Sequence, residues 1–117
     1  MSIVRSTVWP LAGLLLTASI SHAAAARTPL LAAVKNGDTA IVRALVAQPG
    51  LVNVAESDGT TALHWATDRN DIATARLLVN AGANVRAANR YGVTPIYSAA
   101  VHGNAAMLEL LIKAGAD

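Results

Sequence analysis

Two histidines and four carboxylates are the side chains of this 117-residue chain best suited to chemistry, leaving aside His22 near the N-terminus. His64 and His102 lack the four-residue spacing that sets two imidazoles on one helix face for zinc, and no His-Glu-x-x-His occurs. Glu56, Asp58, Asp68 and Asp71 gather in one stretch. Asp71 occupies a helix-capping position, Asp58 belongs to a turn, and Asp68 lies beside Arg69 at a helix end. A solvated surface explains this group better than a metal cage. The chain has no Gly-x-Ser-x-Gly, no phosphate-cradling glycine loop and no cysteine. Catalytic, cofactor-binding and metal-binding residues are therefore not expected.

These side chains sit in a pattern that repeats every 33 residues. The phrase Thr28-Pro29-Leu30-Leu31 returns as Thr61-Ala62-Leu63-His64 and Thr94-Pro95-Ile96-Tyr97. Gly37-Asp38, Asn70-Asp71 and Gly103-Asn104 keep the same interval, as do Leu45-Val46, Leu78-Val79 and Leu111-Ile112. Three columns at one period describe a supersecondary unit stacked on copies of itself. Each threonine suits a helix N-cap, with Pro29 and Pro95 at the first helical position. Leu30, Leu63 and Ile96 share an inward face with Ala33, Ala66 and Ala99. Gly37, Asn70 and Gly103 end this first helix in the left-handed region, and Asp38, Asp71 and Asn104 cap a second. The second helices are expected over residues 39–47, 72–80 and 105–113. Their buried faces are read at Val42/Leu45/Val46, Ala75/Leu78/Val79 and Leu108/Leu111/Ile112. Residues 83–92 should form a projecting hairpin-like loop.

The columns resemble the ankyrin repeat, a β-turn plus two helices over 33 residues. Asp58-Gly59-Thr60-Thr61-Ala62-Leu63-His64-Trp65-Ala66 and Leu77-Leu78-Val79-Asn80-Ala81-Gly82-Ala83-Asn84-Val85 carry it most fully. Repeats are placed at about residues 27–55, 56–88 and 89–117. The first departs from the pattern, with Leu31 in place of the family's His and Pro49-Gly50 where repeat two has Gly82-Ala83. The resemblance implies an all-α solenoid of helix-turn-helix units with projecting hairpin loops. It implies that His64 hydrogen-bonds backbone and steadies its turn, and that Trp65 is partly buried between repeats. It places a protein-binding surface on hairpin tips and the exposed ends of first helices. By register these positions are Lys35 and Asn36, then Ser57, Asp58, Thr60, Asp68 and Arg69, then Arg90, Tyr91, Val93, Val101 and His102. An Arg-Tyr pair on a loop, as at Arg90-Tyr91, is a composition that interfaces favour.

Residues 1–26 stand outside the array. Arg5 precedes an apolar run from Val8 to Ile20, followed by Ser21-His22-Ala23-Ala24-Ala25-Ala26. That is the layout of a secretory signal peptide, with cleavage after Ala23 or Ala25. The run falls short of the ~20 residues of a transmembrane helix, and no Arg-Arg pair marks twin-arginine export. Absence of cysteine excludes a lipoprotein anchor and disulfides. The alanine-rich tract leans bacterial, and export would then lead to the periplasm. Removing Arg5 leaves eight basic against seven acidic residues, a balance that suits neither nucleic acid nor, after cleavage, a membrane surface.

The chain therefore reads as an exported, non-catalytic interaction module with a protein partner. The alternative is the N-terminal interaction domain of a longer enzyme or transport protein truncated at Asp117. Ending there in register with Asn84, the last repeat would lack the polar cap such arrays carry, and its uncovered apolar helix would promote self-association.

Overall fold

The computed structural model describes residues 29–116. The signal-peptide reading, the Thr28 cap and Asp117 lie outside the described residues. Among the described residues six helices follow in pairs: α1 (Pro29–Asn36) and α2 (Thr39–Leu45), α3 (Ala62–Asp68) and α4 (Ile72–Asn80), α5 (Pro95–His102) and α6 (Ala105–Lys113). The first helices α1, α3 and α5 stack as one layer, and α2, α4 and α6 stack behind them as a second. Among the described residues the only β pairing is an isolated bridge between Ala55 and Thr61. This is an all-α ankyrin-type solenoid.

The helix boundaries follow from local chemistry. Thr61 and Thr94 accept the N–H of His64 and Tyr97, at 3.5 and 3.3 Å. Asp38, Asp71 and Asn104 cap the second helices at 3.3, 3.1 and 3.1 Å. Such caps satisfy donors that the helix itself leaves orphaned. Between the helices of each pair the chain turns through φ of 72° at Gly37, 56° at Asn70 and 67° at Gly103. Asn is the non-glycine residue that tolerates this region best. The helix α2 ends at Leu45, two residues earlier than the sequence pattern suggests. Pro49 explains this: it cannot donate to the helix, and it biases Gln48 away from helical geometry.

The core is one continuous cluster that runs within and between the repeats. Leu30, Leu63, Ala33, Ala66 and Ala99 are all buried in the first-helix layer, where the alanines let the helices approach closely. Val42, Ala75, Leu78 and Leu111 line the second. Leu45, Val46, Val79 and Leu108, read as buried, and Ile96, read as inward-facing, are half-buried, and two columns show why burial varies. Ile112 is 58 % exposed, although it shares a column with Val46 and Val79. That column is only half-buried even in α2 and α4, and no following repeat lies against α6 among the described residues. Met107 is fully buried, as is Thr74 one period earlier, whereas Ile41 in the same column is 48 % exposed. Burial in this column thus accompanies a preceding helix pair among the described residues.

Leu78 has no exposed surface and sits in the middle of the stack. Leu78→Ala should therefore cost about 2–5 kcal/mol, as large-to-small core changes do. Urea denaturation followed by circular dichroism measures it. A loss below about 0.5 kcal/mol, the range of ordinary surface changes, would show that the buried face is misplaced.

Candidate functional site

The expected binding positions lie on the first helices, at their C-terminal ends, and on the two tight turns that precede α3 and α5. Each turn closes in the same way. The Glu56 N–H donates to the Thr60 carbonyl at 2.9 Å, and the Asn89 N–H to the Val93 carbonyl at 3.0 Å. The turns are therefore confined to residues 56–60 and 89–93, and residues 83–88 connect the second to α4. They sit against each other: the Arg90 N–H donates to the Asp58 carbonyl at 2.6 Å. Gly59 permits the approach. Its φ is 87°, and a Cβ there would meet the Cα of Asn89 at 3.2 Å.

His64 joins one repeat to the next. The Thr61 N–H lies 3.1 Å from its Nδ1, which must accept that bond. The ring proton then sits on Nε2, which donates to the Val93 carbonyl at 2.8 Å. A single buried imidazole thus fixes the entry of α3 and the end of the following turn, the steadying role its family resemblance implies.

Further ties cross between repeats at the ends of the first helices. Arg69 donates to the Lys35 carbonyl at 2.9 Å, and one period later His102 Nε2 meets an Asp68 oxygen at 3.2 Å. Arg90 reaches the Ser57 carbonyl at 3.3 Å, and Asn89 reaches the Thr60 hydroxyl at 3.3 Å. Asn36, Tyr91 and Val101 are exposed, Tyr91 to 72 %. Arg86, in the loop before the second turn, donates to the Gly115 carbonyl at 2.8 Å, matching Asn53 on the Gly82 carbonyl at 3.2 Å one period earlier.

Beside these positions lie residues outside the expected register set. Trp65 is half-buried, and its Nε1–H donates to Glu56 at 2.5 Å. The other Glu56 oxygen takes the Lys35 ammonium at 2.8 Å, and that ammonium lies 4.7 Å from the centroid of the Trp65 ring. Lys35 and Trp65 together hold the Glu56 carboxyl below its ordinary value. The Thr60 N–H does the same for Asp58. A signal for Trp65 was present in the sequence: Ala32, Trp65 and Ser98 form a column one helical turn before Lys35, Asp68 and Val101.

This column shapes a recess of about 150 Å³ between α3 and α5. Trp65 stands on one side, and Ser98, one period later, is too small to fill the space. The buried His64 and half-buried Val93 close its inner end. Asp68 stands at its mouth. Among the described residues no group of three His, Asp or Glu side chains is placed to hold a metal ion.

The family profile for ankyrin repeats (three copies) matches residues 9–89 and again residues 30–117, nearly the whole chain. The chain belongs to the ankyrin-repeat family. A search of curated proteins finds no significant match. The ankyrin assignment accounts for the capped helix pairs, the left-handed turns at one fixed register and the His64 bridge.

Glu56 gives the ankyrin array a titratable joint between its first two repeats. Because its folded carboxyl lies below the ordinary 4.5, its contribution is complete above that pH and is lost as pH falls through the folded value. Asp58 and Glu109 are shifted in the same direction and share the loss. Glu56→Gln should therefore give a shallower fall in melting temperature on acidification below pH 4.5 than the parent shows. Differential scanning calorimetry across that range checks it, and parallel curves would remove Glu56 from the joint.

Proposed function

We propose that this ankyrin-repeat domain is a non-catalytic binding module for a protein partner. Its contact surface comprises the two turns and the exposed ends of the first helices. Ankyrin repeats are generally protein-interaction modules, and the observation that carries the reading here is rigidity. Backbone and side-chain bonds already join the two turns, and successive first helices, before any partner arrives. A preformed surface loses little conformational freedom on binding, so more of the contact energy appears as affinity. Tyr91 and Arg90 supply the aromatic and guanidinium groups that dominate interface energetics. Neither lies in the inter-repeat core.

Export of the protein is part of the proposal. It is supported by the order of Arg5, the apolar run Val8–Ile20 and the small residues Ser21-x-Ala23 and Ala23-x-Ala25. In a bacterium the destination would be the periplasm, where the partner would also reside.

Two measurements test these statements. Once a partner is captured from the exported compartment, Arg90→Ala combined with Tyr91→Ala should weaken binding by about ten-fold or more. Far-UV circular dichroism should stay unchanged. Equal affinity in the double variant would move the interface elsewhere. Mass spectrometry of the exported protein should find an N-terminus at Ala24 or Ala26, and an intact Met1 on an exported chain would refute cleavage.

A further inference from the structure

Three carboxylates lie on the binding surface, and they differ in what they have left to offer. Glu56 is neutralised by Lys35 and also accepts the indole N–H of Trp65. One oxygen of Asp58 accepts the Thr60 N–H at 2.9 Å, and Arg90 lies near enough to act on its charge. Among the described residues Asp68 meets only His102 Nε2, a donor that carries a charge only when protonated. Its side chain is 62 % exposed. The neighbouring Arg69 directs its guanidinium to the Lys35 carbonyl instead. Asp68 is therefore the carboxylate on this face with no fixed cation of its own, and it stands at the mouth of the recess beside Trp65.

The recess supplies the second half of the recognition. At about 150 Å³ it has room for one Leu- or Phe-sized side chain, since a cavity of that volume accepts a benzene ring. Trp65 and Val93 give it apolar walls, Thr60 and Asn89, which also line it, are bonded to each other, and the His64 ring nitrogens are already engaged with backbone. An incoming apolar group would strand none of the His64 bonds. A cation placed one residue away along the same segment would reach Asp68.

Resting on the binding-module reading above, we propose that the recess takes a Leu- to Phe-sized side chain of the partner while an adjacent Lys or Arg pairs with Asp68. The ligand class is an apolar–basic residue pair on an exposed segment of a protein. Trp65 and Asp68 lie three apart on α3 and so present the apolar wall and the carboxylate on one face of that helix.

A random 12-residue peptide library selected on the immobilised full-length chain tests this. Enriched peptides should carry Leu, Ile, Met or Phe next to Lys or Arg. In such a peptide, changing the apolar residue to Ala should weaken binding about ten-fold. Asp68→Asn should weaken it about two- to five-fold, as expected for a partly exposed ion pair. The same substitution should leave a version with Gln in place of the cation unaffected. Ser98→Phe, which fills the recess from the side, should abolish selection of the pair, and circular dichroism monitors its fold. Failure to enrich any peptide would overturn the inference. So would enriched peptides without the pair, or binding indifferent to both Asp68→Asn and Ser98→Phe. In that event the module reading still stands or falls separately, on whether the Arg90 and Tyr91 double variant loses a captured partner.

Discussion

Everything in this molecule depends on close contact between successive first helices. Ala33, Ala66 and Ala99 keep that contact short, and Leu30 and Leu63 fill the space beside them. No helix pair buries its apolar face alone, so a repeat has a core only where a neighbour exists. The column Ile41, Thr74 and Met107 shows the rule within one protein. Its exposure falls from 48 % at Ile41 to 1 % and 0 % in the two repeats that have a predecessor among the described residues.

The polar bonds between repeats obey the same period as the core. Asn53 and Arg86 each reach a glycine carbonyl 29 residues ahead, while Arg69 and His102 each reach back 34 residues. The chemistry within a column varies, yet the geometry does not. An amide and a guanidinium do equivalent work at one register, and a carbonyl and a carboxylate receive at another. His64 adds a buried link whose tautomer is set by the backbone N–H it must accept. The stack is thus tied along both edges, and its units should open cooperatively rather than fray one by one.

The fold was legible because its signals are local and repeated. A threonine cap, a left-handed glycine or asparagine and an aspartate cap each specify one piece of backbone, and the 33-residue interval shows that they recur together. Expectation failed where burial depends on what lies across a gap, as at Ile112, and where a proline acts at a distance of several residues, as at Pro49 on α2. The proposed binding surface was read as a set of register positions, among them Lys35, Asp58, Thr60, Asp68 and Arg90. The cluster beside them was not legible. The link between Glu56, Lys35 and Trp65 joins three elements, and the recess depends on a size difference between Trp65 and Ser98 that matters only once the helices stand side by side.

That size difference has a consequence for how such a surface can change over generations. Ala32, Trp65 and Ser98 occupy one column of the first helices; Ala32 is exposed, Ser98 is half-buried, and half-buried Trp65 packs against the edge of the core. Exchanging large and small residues among these three places would move, deepen or erase the hollow while the alanine contacts behind it stay untouched. A change at Ala32 or Ser98 would therefore alter the hollow alone, whereas a change at Trp65 would also remove the indole bond to Glu56 and loosen the joint between the first two repeats.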